Sequence, residues 1–195
     1  MQLKTKVKVG NITNLSDARY CAGMGVDFLG FPIGDMDGQI PFDMFSEIVG
    51  WVSGPAFVLE YSDTLDEAVF QKVTGPNAIH HIELDLGQLH QLGEKAQGLP
   101  IILKANMAAW PTIEPLLPTY DIRYLALGEN QLVDWKTVEA INKKVNVLVP
   151  YHLIEGDEIE KLPITGIILE GSSEDKPGQK DYGQLATALE ALEAN

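Results

Sequence analysis

Short apolar runs rich in β-branched residues recur along the chain, and amphipathic segments separate them. This alternation predicts strand–helix units and a parallel sheet, because parallel neighbours need a crossover of a dozen or more residues. We predict strands over residues 7–9, 28–31, 56–59, 79–84, 101–103, 122–127, 145–149 and 164–169. Consecutive strands begin about 23 residues apart, which leaves room for one loop and one helix in each interval.

Residues that begin and end helices fill the intervals between the predicted strands. Ser16 opens one segment that closes on Gly25, and Pro41 opens the next, as expected of residues that cap or start helices. We predict helices over residues 16–25, 41–51, 63–73, 87–96, 112–117, 134–143, 155–162 and 182–194. The helices after the fourth, fifth and seventh strands have weak periodicity and are predicted to be short.

The strand–helix units belong to one domain in this interpretation. No Pro-, Gly- or Ser-rich stretch and no run of charge divides the chain, so we predict a single domain over residues 1–195. Eight units in series favour an α/β fold, a single (β/α)8 TIM barrel. The order of strands and helices alone does not exclude an alternative, an open doubly wound sheet.

Charge and composition narrow the function classes. The chain has 28 Asp and Glu against 14 Lys and Arg, a formal net charge of -14. Such a surface repels nucleic-acid phosphates and anionic lipid head groups, so we predict neither partner. Cys21 is the only cysteine, which excludes an intrachain disulfide or a CxxC site. There is no apolar run of signal-peptide length and none of about 18 residues, and we predict a cytoplasmic protein.

Two ends of the chain carry a family resemblance. Residues 8–18, KVGNITNLSDA, and residues 25–31, GVDFLGF, resemble the start of phosphoribosylanthranilate isomerases, whose pattern is K-[IV]-C-G-I-T-N-x-x-D-A and then G-A-D-x-x-G-F. Residues 174–181, EDKPGQKD, are similar to the closing E-x-x-P-G-x-K-D of that family. Asp134 and Trp135 lie where the family has F-D-W. The matches occur in the family's order along the chain.

The resemblance implies a barrel fold and a reaction of tryptophan biosynthesis. That reaction is an Amadori rearrangement, in which a phosphoribosyl aminoaldose opens and tautomerises to an aminoketose. It needs an acid at the ribose ring oxygen and a base for the neighbouring carbon-bound proton. The family uses an Asp and a Cys for these two roles. We predict neither a cofactor nor a metal for this chain.

The residues that match the family's catalytic positions cannot do that chemistry. The family's Cys falls on Gly10, and its Asp falls on Ala126, or on Leu127 if the register slips by one. The Arg of the loop after the second strand falls near Gln39, and the glycine pair of the phosphate loop after the seventh strand falls on residues 151–152. The comparison therefore predicts a degenerate isomerase site.

Polar residues at the ends of the predicted strands are the candidates for a replacement activity, because barrel enzymes work at the carboxyl ends of their strands. The candidate ligand-binding residues are Asn11, Glu60, Glu83, Asn106, Gly171, Ser172 and Ser173. Residues 171–173 form the remaining half of a phosphate cradle in this interpretation. The candidate catalytic residues are Glu129, Asp85, His152 and Lys104.

Lys104 and two histidines have alternative interpretations. Lys104 follows an apolar strand and would serve as a desolvated amine nucleophile, or it pairs with Glu83 or Glu60. A divalent ion held by Glu60, Glu83 and His152 is the less favoured alternative. His80 and His81 are adjacent in a predicted strand, so one faces the barrel and the other the helices, which makes a shared metal improbable.

Three functions are compatible with the sequence. The favoured hypothesis is an isomerase-like barrel that lost the family's acid–base pair and binds or converts a different small molecule, with sugar phosphates as a candidate class. The second is an active isomerase that uses substitute residues, with Glu129 as acid and Asp85 or His152 as base. The third is a non-catalytic barrel that acts through protein contacts.

Overall fold

Eight parallel strands close into a barrel in the order in which they follow along the chain. The computed structural model describes residues 2–75, 79–154, 159–171 and 183–194. The strands are β1 Lys6–Gly10, β2 Phe28–Phe31, β3 Ala56–Glu60, β4 His81–Asp85, β5 Ile101–Ala105, β6 Ile122–Leu127, β7 Asn146–Pro150 and β8 Gly166–Glu170. Because β8 pairs with β1, the sheet has no open edge, and the predicted (β/α)8 barrel is confirmed.

Helices connect the strands on the outside of the barrel. They are α1 Leu15–Gly23, α2 Phe42–Trp51, α3 Glu67–Val73, α4 Leu86–Leu92, α5 Trp110–Ile113, α6 Trp135–Asn142 and α7 Gly183–Ala191. The segments predicted to be short are short: α4 has 7 residues, α5 has 4, and after β7 the described residues contain only 3-10 turns, at Tyr151–Leu153 and Ile159–Lys161. No helix among the described residues is long and apolar enough to cross a membrane.

Helix starts follow capping chemistry. Asn14 caps α1 by accepting a hydrogen bond from the Asp17 amide, which satisfies a backbone donor that the first turn leaves free. Asp66 caps α3 in the same way. The helix predicted from residue 63 therefore begins four residues late, because Asp66 and not Asp63 supplies the cap. Of the helix predicted over residues 155–162, residues 155–158 lie outside the described part.

Several strands extend past their predicted ends. The predictions stopped at the last apolar residue, whereas the parallel ladder continues to Glu60 in β3, Asp85 in β4, Ala105 in β5 and Glu170 in β8. The backbone hydrogen bonds of a ladder do not depend on side-chain polarity. As a result, polar residues that were placed at the strand ends belong to the sheet, where alternate positions face the barrel interior.

Alternation divides the core into two layers. One buried cluster lies between the strands and the helices and includes Val7 and Val9 of β1. A smaller one fills the barrel interior and comprises Phe28, Val58, Ile102, Ala126 and Leu148. Lys8 lies between Val7 and Val9 in β1. Because successive side chains of a strand point to opposite faces, the valines pack against the helices and the Lys8 side chain points into the barrel.

The amino-terminal end of the barrel is closed by aromatic rings. His81 packs edge-on against Phe28 at 5.5 Å between ring centroids and against Tyr124 at 5.7 Å. His81 is only 8% exposed, whereas His80 is exposed and its Nδ1 accepts a hydrogen bond from the Phe57 amide. The prediction that the two histidines face opposite ways is confirmed.

The His81 imidazole is neutral at physiological pH. Its burial, together with the positive charge of Arg123 and the neighbouring His80, lowers the pKa of His81 to about 4. No described residue hydrogen-bonds its Nδ1. An unfolded chain binds the proton near pH 6.5, so folding stability falls as the pH drops from about 6.5 towards 4.

Replacing His81 with Phe tests this interpretation of the barrel base. We expect the unfolding free energy of His81→Phe to depend less on pH than that of the original chain. Between pH 7 and pH 4 the variant should lose about 2 kcal/mol less. Urea unfolding at pH 7 and pH 4 measures the difference. His90→Gln, at an exposed position of α4, is the matched control and should leave the dependence unchanged. Equal acid sensitivity in all three proteins would contradict a neutral buried His81.

Candidate functional site

The carboxyl ends of the strands surround a cavity of about 1210 Å³. Its polar lining comprises Glu83 of β4, Lys104 of β5, Glu129 after β6, His152 after β7 and Glu170 of β8. We call this region the mouth. Its position is where (β/α)8 barrels hold their active sites.

A buried lysine lies beneath the mouth. The Lys8 side chain is 1% exposed, and its Nζ lies 2.9 Å from Glu60 Oε1 and 2.9 Å from Glu83 Oε2. The three residues come from β1, β3 and β4, each at an inward-facing strand position. An isolated charge at this depth would cost many kcal/mol, so the two carboxylates are what allows a lysine there.

The same carboxylates keep Lys8 protonated. Burial alone lowers the pKa of a lysine, but the charges of Glu60 and Glu83 outweigh it and hold the pKa of Lys8 above its ordinary value. A protonated amine has no lone pair, so Lys8 is a fixed positive charge and not a nucleophile.

Glu60 also fixes the turn after β1. Its Oε2 accepts a hydrogen bond from the Asn11 amide at 3.0 Å, and Asn11 has a left-handed backbone with φ of 54°. Asn tolerates that conformation better than most residues. In the resemblance Asn11 falls on the glycine that follows the family's Cys, a position at which glycine has the same backbone freedom.

Carboxylates fill the space above Gly10. A Cβ at Gly10 would lie 2.7 Å from Glu60 Oε1 and 2.8 Å from Glu170 Oε2, both closer than real Cβ contacts. The Glu170 carboxylate therefore leans inward over β1, although the residue as a whole is exposed. A side chain at residue 10 would therefore displace the ends of these two glutamate side chains.

Glu170 titrates in the physiological range. Loss of hydration raises its pKa; Lys8 opposes this rise, and the negative charges of Glu60, Glu83 and Glu129 add to it, for a net pKa of about 7. A group that is half protonated near neutral pH can both donate and accept a proton. Neither Glu170 nor Lys8 was among the residues singled out from the sequence.

The predicted catalytic residues have separate environments. Lys104 is 51% exposed and lies 3.7 Å from Glu83 Oε1, so it is ion-paired and solvated, which was one of its two interpretations. Asp85 is exposed and caps α4 through a capping box with Gln88. Glu129 and His152 are both exposed and line the mouth.

The predicted ligand-binding residues divide between the mouth and its rim. Glu60 and Glu83 meet at Lys8, and Asn11 adjoins them. Asn106 is exposed, and its Oδ1 lies over Gly128, where a Cβ would collide with it. Among the described residues no group of three His, Cys, Asp or Glu side chains could hold a metal ion.

The predicted phosphate cradle is described only at Gly171. The Gly171 amide donates to the Gly10 carbonyl at 2.8 Å, which joins the ends of β8 and β1. A Cβ there would lie 2.9 Å from the Asn11 carbonyl oxygen, so the close approach of two strands explains this glycine. Ser172, Ser173 and the motif at residues 174–181 lie outside the described residues.

The positions matched to the family's acid–base pair face the barrel interior or its mouth. Gly10 lies under Glu60 and Glu170. Ala126 is 1% exposed within the interior cluster, whereas Leu127 belongs to the layer against the helices. Both residues line the cavity, but Ala126, and not Leu127, is the residue of β6 that belongs to the barrel interior.

Solved structures of phosphoribosylanthranilate isomerases have the same fold. One, in complex with reduced 1-(o-carboxyphenylamino)-1-deoxyribulose 5-phosphate, has a TM-score of 0.67 at 16% identity over 96% of this chain and 98% of that chain. The N-(5'-phosphoribosyl)anthranilate isomerase of Pyrococcus furiosus gives 0.65 at 17% identity over 96% and 98%. The similarity extends over nearly the whole of both chains, which confirms the expected isomerase-like barrel.

Similarity at this level of identity establishes the fold alone. A truncated 3-deoxy-D-arabino-heptulosonate 7-phosphate synthase of Thermotoga maritima has a TM-score of 0.63 at 14% identity, over 95% of this chain and 84% of that chain. That enzyme has a different activity on the same architecture, as is common for barrels. No protein-family model and no curated protein matches the sequence.

Removing the buried lysine tests the network. We expect Lys8→Met to lower the unfolding free energy by about 3–5 kcal/mol, because it leaves Glu60 and Glu83 without their shared cation. The matched control is Lys6→Met, which removes a half-exposed ion pair with Asp27 from the same strand and should cost under about 1 kcal/mol. Urea unfolding at pH 7 measures both. Equal losses would contradict the central place of Lys8.

The titration of Glu170 can be observed directly. Carbon-13 NMR of the glutamate carboxyls should contain one resonance with a midpoint near 7, as given by the pKa of about 7 for Glu170, and Glu170→Gln should remove it. Glu129→Gln should move that midpoint down, since it deletes one of the raising charges. Glu139→Gln, on α6, should leave it in place. Ordinary midpoints near pH 4 for every glutamate would contradict the assignment.

Proposed function

We propose that this chain is an isomerase-like barrel that has lost the family's acid–base pair and that binds or converts a different small molecule in its mouth. The proposal rests on the replacement of that pair by Gly10 and Ala126, and on the group of charged residues at the same end of the barrel. The filling of the space above Gly10 by Glu60 and Glu170 is the observation that carries it.

The packing at Gly10 supports a specialised site. A position that had merely lost a side chain would leave a gap, whereas here two carboxylates from β3 and β8 converge on it. The Glu60 side chain is only 17% exposed, and a charge at such a depth seldom persists without a role or a full set of partners. The arrangement supports a mouth rebuilt around carboxylates in place of a thiol.

Glu170 is the proton carrier in this proposal. Its pKa of about 7 suits general acid or base catalysis at physiological pH. Lys8 stays charged at the floor and orients Glu60 and Glu83, so it acts as a positioning residue. Glu129 and His152 remain candidates for contact with the bound molecule, since both line the mouth.

Two observations weigh against retention of the original reaction. Asp85, one of the substitute bases, has its carboxylate committed to the α4 cap. The described residues of the mouth also include more acids than bases, which disfavours a substrate that carries both a phosphate and a benzoate group. Sugar phosphates stay a candidate class for the replacement ligand because backbone N–H groups of the predicted cradle, residues 171–173, would offset this repulsion locally.

Turnover of phosphoribosylanthranilate by the purified chain is the first test. We expect no activity above background and no growth of a tryptophan auxotroph that lacks the isomerase, because neither Gly10 nor Ala126 can transfer a proton. Growth at low expression would contradict the proposed loss.

A thermal-shift screen of small metabolites tests for the replacement function. A ligand at 100 times its dissociation constant adds about 2.7 kcal/mol of stability. We expect Glu170→Gln to abolish that gain and Glu139→Gln to preserve it. A screen that includes sugar phosphates and amines and yields no stabilisation would contradict a ligand-binding mouth.

A further inference from the structure

Of the described helices, α2 alone exposes large apolar side chains. The exposed large apolar residues of the described part are Met36, Met44, Trp51 and Leu132. Met44 and Trp51 belong to α2, whereas the other two lie in loops. A helix on the outside of a barrel ordinarily turns polar residues to solvent. Apolar side chains that are exposed together mark interaction sites, whereas single ones need no explanation.

Met44 and Trp51 lie on one side of α2. Their separation along the chain is close to two helical turns, which places them about 10 Å apart along the axis. The core contacts of α2 come from Phe45 and Ile48, which are buried. Met44 and Trp51 are 40% and 71% exposed, so they add little to that packing. Packing of the barrel therefore does not account for these two side chains.

Acidic residues accompany the two apolar side chains. Helix α2 contains Asp43 and Glu47 and no Lys, Arg or His. Glu47 lies three residues after Met44 and four before Trp51, so its side chain is a surface neighbour of both. Within the described ranges neither acid forms an ion pair. This side of α2 thus combines apolar anchors with uncompensated negative charge.

Lys72 of α3 contacts α2 on the opposite side. Its Nζ lies 5.7 Å from the centroid of the Phe42 ring. Phe42 precedes Trp51 by about two and a half helical turns, so the two side chains point to opposite sides of the helix. The charge of Lys72 is therefore applied away from Trp51 and its neighbour Glu47.

We propose that Asp43, Met44, Glu47 and Trp51, which we call the α2 face, bind a cationic amphipathic segment of another protein. Trp51 and Met44 contact apolar residues of that segment, and the two carboxylates pair with its Lys or Arg side chains. The inference goes beyond the proposed function and does not depend on it, because α2 contributes no residue to the described lining of the mouth.

Charge selects this partner over the other occupants of an apolar surface. The chain has a net charge of -14, so a second copy would bring an acidic surface against an acidic surface. Anionic lipid head groups meet the same repulsion. A cationic segment is attracted, and a tryptophan that becomes buried at an interface is among the residues that contribute most to binding energy.

The experiment uses the full chain and, as the probe, a peptide of about 14 residues built from Leu and Lys, a length at which a helix can form. Its leucines lie on one helical side. Isothermal titration at physiological ionic strength gives the affinity, and nitrogen-15 NMR follows the Trp51 indole and the amides of α2. We expect one peptide to bind per chain, with shifts confined to α2 and its surroundings.

Substitutions in the α2 face should weaken this binding selectively. We expect Trp51→Ser and Met44→Ser each to lower the affinity at least tenfold. Leu132→Ser is the matched control, since Leu132 is 95% exposed in the loop after β6, and it should leave the affinity unchanged. Glu47→Gln should weaken binding severalfold and reduce its salt dependence, whereas Glu139→Gln, which removes the same charge from α6, should not.

Peptide controls distinguish a docked segment from general attraction to an acidic protein. A peptide of the same composition with its leucines distributed around the helix, and one with Glu in place of Lys, should bind at least tenfold more weakly. Equal binding by the scrambled peptide, equal affinity in all variants, or absence of binding by the Leu and Lys peptide would overturn the α2 face. Thermal unfolding establishes that each variant folds, and Met44→Ser serves if Trp51→Ser does not.

Two further measurements test the other occupants. Sedimentation velocity of the chain alone should show a monomer, and a dimer that Trp51→Ser dissociates would assign the α2 face to a second copy instead. Phosphatidylcholine vesicles should not bind the chain, and binding that Trp51→Ser removes would assign the face to a membrane surface. Either result would overturn the cationic segment.

Discussion

The charge of Lys8 is the constraint on which the carboxyl end of the barrel depends. A lysine inside a closed barrel is tolerated only because Glu60 and Glu83 reach it from two other strands. Glu60 then holds the amide of Asn11 and so sets the turn after β1. The negative charges of Glu60, Glu83 and Glu129 raise the pKa of Glu170 on the other side of the mouth. One buried cation thus links the packing of three strands to the protonation of a fourth.

Different residues determine the architecture of this chain and the chemistry of its mouth. Val7 and Val9, on either side of Lys8, bury the outer face of β1 against the helices. Similar apolar residues bury the outer faces of the other seven strands, and together they build the isomerase-like barrel. The inward positions near the strand ends contribute nothing essential to that layer, so they can change without loss of the fold. Similarity to solved isomerases at 16–17% identity is the expected result of such a division.

The sequence predicts the barrel well because apolar runs, caps and glycine punctuation are local features. It does not predict Lys8 as a buried residue, since a single lysine between valines also suits a strand with one solvated face, and its partner Glu60 is 52 residues away. Glu170 follows the last apolar residue of β8 just as Glu60 follows that of β3, so the same strand-end criterion could have identified it. Its raised pKa depends on Glu60, Glu83 and Glu129, whose proximity only the closed barrel creates.

The packing over Gly10 has an evolutionary consequence. Any side chain at residue 10 would meet the carboxylates of Glu60 and Glu170, so it fits only if the ends of these side chains shift. A shift of Glu60 would draw its carboxylate away from Lys8 and from the Asn11 amide, and a buried ion pair is costly to disturb. Residues 10, 60 and 170 should therefore change together among related barrels.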